Sequence, residues 1–128
     1  MRVLLDTHAL LWLITGDARL SETARNIYLN SENALYFSII SLWEICIKKS
    51  LEKISLKNGW LETIRDEMKI NAIQWLAVEI GHCAKVIDLP FHHRDPFDRI
   101  LVAQSMVEDL VILTRDNRFA AYGIQCIW

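Results

Sequence analysis

Val3-Leu4-Leu5-Asp6-Thr7 runs three aliphatic residues straight into an acid. Leu110-Val111-Ile112-Leu113-Thr114-Arg115-Asp116 repeats the construction near the other end of the chain. Short continuous apolar runs of this kind read as strands covered on both faces. In an open α/β sheet the carboxyl ends of the strands border the ligand crevice, so acids that terminate strands collect at one edge. Two further acids, Glu44 and Asp98, stand near the starts of helices that are otherwise strongly apolar. Four converging carboxylates without four matching cations repel one another unless a divalent ion joins them. Oxygen-only donors of this type suit Mg²⁺ or Mn²⁺.

Outward from these runs, residues 2–6 read as the first strand, 7–13 as a loop-to-helix segment, and Gly16-Asp17 as a turn. Ser21 starts a helix reaching Leu29, and Leu35-Tyr36-Phe37-Ser38 is an aromatic-rich second strand. Ser41 is expected to cap the helix through Leu42, Trp43, Ile45 and Ile47. Residues 52–70 read as helix after a break near Asn58-Gly59, Ile73–Leu76 as a short strand and Glu79–Val86 as a short helix. Asp95-Pro96 opens a helix to Val107, and Ile124–Ile127 is an edge strand. Strands alternating with helices predict one α/β domain over residues 1–128, a three-layer sandwich with a mainly parallel central sheet flanked by helices.

Composition narrows the function classes. The 128 residues are 52% hydrophobic, yet no run approaches the roughly 18–20 apolar residues that span a bilayer. The strand-like start is unlike a signal peptide, so no membrane association and a cytoplasmic location are expected. Cys46, Cys83 and Cys126 are far apart and form no C-x-x-C pair; they read as buried thiols in a reducing compartment. The four scattered glycines make no phosphate loop, and the four histidines have no obvious partner serine. A formal charge of −2 is unusual for a nucleic-acid binder, but the charges are patterned. Lys48, Lys49, Lys53 and Lys57 follow Glu44, and Arg94, Arg99, Arg115 and Arg118 flank the later acids. Among these, Lys48, Arg94, Arg99 and Arg115 are candidate phosphate-gripping residues; ordinary surface ion pairs account for the same pattern.

Each acid taken singly has an ordinary explanation. Asp6 can cap the helix after its strand, and Ser41-x-x-Glu44 has the spacing of a capping box. Asp95 is a good N-cap before Pro96, which leaves Asp98 at the third helical position, favoured by the helix dipole. Asp116-Asn117 is a natural turn. Against this, a carboxylate buried in an apolar helix costs several kcal/mol unless it is paired or liganding. The helix after Asp98 is apolar nearly all round, which directs Asp98 at an enclosed site. Thr7 can hydrogen-bond a neighbouring carboxylate. A hard-cation site binds phosphate oxygens and activates a water for attack on phosphorus, so metal-assisted hydrolysis suits these residues better than covalent catalysis.

The ordered set Leu4-Leu5-Asp6-Thr7-His8-Ala9-Leu10-Leu11-Trp12, Ser41-Leu42-Trp43-Glu44-Ile45, His93-Arg94-Asp95-Pro96-Phe97-Asp98-Arg99 with Ala103-Gln104, and Thr114-Arg115-Asp116 resembles the PIN-domain ribonucleases. More narrowly, it is similar to the VapC toxins of bacterial toxin–antitoxin pairs, over essentially the whole chain. The resemblance implies that Asp6, Glu44, Asp98 and Asp116 form the family's acidic quartet, holding Mg²⁺ or Mn²⁺ for hydrolysis of an RNA phosphodiester. Within it, Asp6 and Asp98 are the direct ligands, Glu44 ligates or orients a water, and Asp116 completes the site. Thr114 takes the family's hydroxyl position, and Asp95 stays an N-cap within reach of an outer shell. A homodimer and an antitoxin that blocks the site are further implications. The tryptophans read chiefly as core, with Trp128 the interface candidate.

Two rival classes, another metal-dependent phosphoryl enzyme and a non-catalytic binding module, differ in testable ways. A haloacid-dehalogenase-type phosphatase needs D-x-D after the first strand, where this chain has Asp6-Thr7-His8. A receiver domain needs a lysine after a later strand, and none follows Leu113. A non-catalytic PIN-like binding module would be expected to have lost one or more acids, and all four are present here.

Overall fold

A computed structural model describes residues 1–128. The five strands β1 (Arg2–Leu5), β2 (Ala34–Ser38), β3 (Gln74–Leu76), β4 (Val111–Leu113) and β5 (Cys126–Ile127) form one sheet in the order β3-β2-β1-β4-β5. Every pairing is parallel. Around it lie α1 (Thr7–Thr15), α2 (Glu22–Leu29), α3 (Ile39–Ser50), α4 (Trp60–Ile70), α5 (Ile80–Lys85) and α6 (Pro96–Glu108), with 3₁₀ turns at Val86–Asp88 and Asn117–Tyr122. None of these helices is long and apolar enough to cross a membrane.

Alternation along β1 builds two cores. Val3 and Leu5 join Leu35, Phe37 and Leu113 beneath side chains of α1 to α4, among them Leu10, Tyr28, Ile45 and Ile64. Leu4 and Ile112 face the other way, against Leu101 and Val102 of α6 and Phe119 and Tyr122 of the 3₁₀ turn. This is the three-layer sandwich that the apolar runs predict, because a strand packed on both faces has no polar side to alternate with.

The strand order reverses between β1 and β4. From β1 the chain moves outward through β2 to β3, then returns to the far side of β1. Leu5 is level with Phe37 on one side and Leu113 on the other, so Asp6, Ser38 and Thr114 leave the sheet side by side. The Asp6 amide extends the ladder by donating to the Leu113 carbonyl at 3.2 Å. The carboxyl edge of a parallel sheet at such a switch point is where α/β folds open a crevice.

Three local expectations need correction. The cap of α3 is Ser38, whose hydroxyl accepts from the Ile40 amide at 3.2 Å. Ser41 lies inside the helix with its buried hydroxyl unpartnered, so the Ser41–Glu44 capping box does not form. Helix α4 begins only at Trp60, after Gly59 at φ +81° provides a left-handed entry that a side chain would strain. Cys46 and Cys83 are exposed and Cys126 is half-buried, so the thiols are not core residues. Sulfur content alone does not say which helix face a cysteine occupies.

Candidate metal centre

Every acid but Glu44 reaches the sheet edge by a local device that the sequence supplies. Asp6 ends β1 and caps α1, its Oδ1 accepting from the Ala9 amide at 2.7 Å. Asp95 caps α6 by accepting from the Phe97 amide at 2.8 Å, with Pro96 at the first helical position. That places Asp98 on the first turn of α6. Asp116 caps the 3₁₀ turn through the Arg118 amide at 2.9 Å. Glu44 comes from the middle of α3 and is 4% exposed.

Asp6, Glu44, Asp95, Asp98 and Asp116 line one cavity of about 230 Å³, together with Thr7, His8, Lys48, Arg118 and Phe119. Five carboxylates therefore share this space with two permanent cations, Lys48 and Arg118. Both cations are already engaged. Lys48 Nζ donates to Glu44 Oε2 at 2.8 Å. The Arg118 guanidinium donates to both Asp116 oxygens, at 3.0 and 2.9 Å.

The remaining polar contacts fix the other acids unequally. The Thr7 hydroxyl donates to Glu44 Oε1 at 2.6 Å, so both Glu44 oxygens are partnered. Burial raises the Asp6 carboxyl, opposed by hydrogen bonds from the Thr114 hydroxyl and the Ala9 amide. The Thr114 hydroxyl oxygen also accepts from the Asp116 amide at 3.0 Å, which shapes the turn after β4. Burial pushes Asp116 up as well, but hydrogen bonds from Arg118 and His93 hold it well below the usual carboxylate range. Asp98 has no such help. Burial first, and then the charges of Asp95, Glu44 and Asp116, push its carboxyl up to about 6.

These residues fit a hard divalent cation. The inward-facing donors are carboxylate oxygens, and the site holds more negative charge than its own cations neutralise. Ligand atoms of His93, Asp98 and Asp116 lie within 4.8 Å of one another, close enough to surround one ion. Asp6 has one oxygen on its cap and a second that the cap does not use.

The basic residues predicted to grip phosphate are dispersed. Lys48 lines the cavity, while Arg94 and Arg115 are exposed and outside its lining. Arg99 is turned inward. Its guanidinium donates to the carbonyls of Pro90, Val86 and Leu89 and lies over the Phe91 ring, so its task is to hold the segment before α6. Arg118 and His93 are site residues absent from the predicted set. Arg118 follows Asp116 by two positions, the spacing of a side chain folding back on its turn. His93 opens the His93–Arg99 motif that carries the family resemblance, but that motif alone gives it no role.

The family model described as PIN domain matches residues 3–125. Among solved structures, VapBC2 from Rickettsia felis bound to a DNA fragment from its promoter is similar, with a TM-score of 0.70 at 14% identity, over 99% of this chain and 98% of that one. FitAcB from Neisseria gonorrhoeae has a TM-score of 0.69 at 16% identity, over 98% and 96% of the two chains. A toxin–antitoxin complex from Klebsiella pneumoniae gives 0.64 at 17%, with the same coverage of 98% and 96%. No curated protein matches in sequence.

Proposed function

The chain belongs to the PIN-domain family, and from that premise we propose that it is a Mg²⁺- or Mn²⁺-dependent endoribonuclease acting as the toxin of a toxin–antitoxin pair. The observation that carries the proposal is Asp98: a carboxyl pushed up to about 6 by burial and by neighbouring acids, in a cleft at the topological switch point. Asp98 shares that cleft with Asp6, Glu44, Asp95 and Asp116, a concentration of carboxylates that a divalent cation would offset.

Asp6 and Asp98 are the proposed direct ligands, with Asp116 completing the set. Glu44, held between Thr7 and Lys48, is rigid enough to orient a water rather than swing toward an ion. When bound, the cation supplies Lewis-acid stabilisation of phosphoryl charge and acidifies a water. Arg118, largely exposed at the rim, can meet a phosphate approaching the cleft. Thr114, accepting from the Asp116 amide, shapes the turn that carries Asp116.

Similarity to toxin–antitoxin complexes supports an antitoxin partner. A homodimer is supported by an apolar face where Trp43, exposed rather than core, meets Phe97 edge-on at 5.5 Å near the exposed Phe91. Trp128, the other interface candidate, is half-buried and packs edge-on against Trp12 at 5.5 Å. The deciding experiment is cleavage of total bacterial RNA by the purified chain, with Mg²⁺ and with excess chelator, beside Asp6→Asn. Discrete fragments that require both the metal and Asp6 are the expected result. A folded, partner-free protein that neither cleaves RNA nor binds Mn²⁺ would point instead to a non-catalytic PIN-like binding module.

A further inference from the structure

We infer that Tyr122 locks His93 as its Nε2–H tautomer and that His93 thereby positions Asp116, acting behind the fourth carboxylate rather than as a ligand. The inference rests on the metal-site reading of the cleft.

In the neutral imidazole the chain of contacts has one self-consistent assignment. The backbone amide of His93 donates to the Tyr122 hydroxyl oxygen at 2.8 Å. That phenol then has its own hydrogen to place, and Nδ1 of the same histidine lies 3.1 Å away. With Nδ1 accepting, the ring hydrogen sits on Nε2, which is 2.9 Å from Asp116 Oδ2. The opposite tautomer leaves the phenol hydrogen without this acceptor and sets the Nε2 lone pair against a carboxylate oxygen. Both residues are buried, so water does not readily repair such a mismatch.

The ring cannot turn to escape the arrangement. It lies parallel to Tyr122, with centroids 5.5 Å apart and planes 7° apart, and is tilted against Phe119 at 4.7 Å. Arg118 contacts both oxygens of Asp116, but its side chain is 64% exposed, against 1% for His93. The rigid reference for the Asp116 carboxylate is therefore the imidazole. Although His93 lies within ligand distance of Asp98 and Asp116, neither of its nitrogens keeps a free lone pair. Outer-shell histidine–carboxylate contacts of this type tune metal sites through orientation.

Glutamine can test this because its amide nitrogen falls near the Nε2 position, whereas leucine keeps only bulk. In the full-length chain, imidazole ¹H–¹⁵N spectra at mildly alkaline pH should show His93 as the Nε2–H tautomer, and Tyr122→Phe should mix the two tautomers. Mn²⁺ titration should place His93→Gln within about threefold of wild type, while His93→Leu weakens binding by about 10–100-fold. An Nδ1–H signature for His93 overturns the inference, as does Mn²⁺ affinity in folded His93→Leu equal to wild type. If His93→Leu does not fold, the wild-type and Tyr122→Phe spectra decide. A wild type with the Nε2–H signature and Mn²⁺ binding but no RNA cleavage sinks the ribonuclease reading and leaves the positioning role standing.

Discussion

Asp98→Asn is predicted to make the metal-free protein more stable while abolishing RNA cleavage. In the fold this carboxyl is pushed from 3.8 up to about 6, so ionising it costs more in the folded chain than in the unfolded one. Taken at face value, that displacement corresponds to ~3 kcal/mol. Asp98 is partly open to solvent, and screening reduces the figure to roughly 1–2 kcal/mol. Asparagine is nearly isosteric and uncharged, so it removes this cost without opening a cavity. For a 128-residue chain, a gain of that size raises the melting temperature by about 4–7 °C.

The pH dependence has a definite sign. A folded pKa raised above the unfolded value means that the penalty is fully present above about 6 and disappears below 3.8. Linkage leaves about a third of it at pH 4.5. Calorimetric melts in chelator at pH 7.5 and pH 4.5 should thus show a wide gap between variant and wild type that narrows on acidification. Adding Mn²⁺ at about a hundred times its Kd should stabilise wild type by ~2.7 kcal/mol and leave the variant unmoved. If Asp98→Asn melts at or below wild type at pH 7.5, or if the gap does not depend on pH, Asp98 is not the uncompensated charge on which the site reading depends.

Four other substitutions test the architecture around the cleft. Ser38→Ala should cost about 1 kcal/mol by removing the cap of α3, whereas Ser41→Ala should change stability by no more than about 0.5 kcal/mol, since its hydroxyl has no partner; urea titration of both variants checks this. Thr7→Val should cost about 2 kcal/mol, because it removes the 2.6 Å donor to the buried Glu44 carboxylate without changing shape; equal urea midpoints would refute it. Arg99→Met should lower stability by about 3 kcal/mol through loss of the bonds to three carbonyls. A variant as stable as wild type but impaired in RNA binding would return Arg99 to the phosphate-gripping role.

The sequence was most legible where one pattern served both fold and site. The apolar runs at Val3–Leu5 and Leu110–Leu113 identify buried parallel strands, and the acids after them lie at the sheet edge because strand ends must. Asp95-Pro96 was equally readable, since cap and first-turn chemistry are local. Glu44 was misplaced because Ser38 and Ser41 both precede it, and only the tertiary partners Thr7 and Lys48 show that it points inward from mid-helix. Arg99 and His93 were unreadable for the same reason. One is directed by three carbonyls and the other by a tyrosine 29 positions away, and neither contact has a period or a spacing. Capping and metal binding also proved to be poor alternatives to weigh against each other. Asp6 spends one oxygen on the Ala9 amide and keeps another, Asp95 and Asp116 cap turns while lining the cavity, and each cap fixes the carboxylate's direction. A cap that immobilises an acid at a strand end lowers the entropy lost when an ion is bound there. Local structure and site are thus served by one set of residues, and an ordinary explanation for each acid does not count against the site.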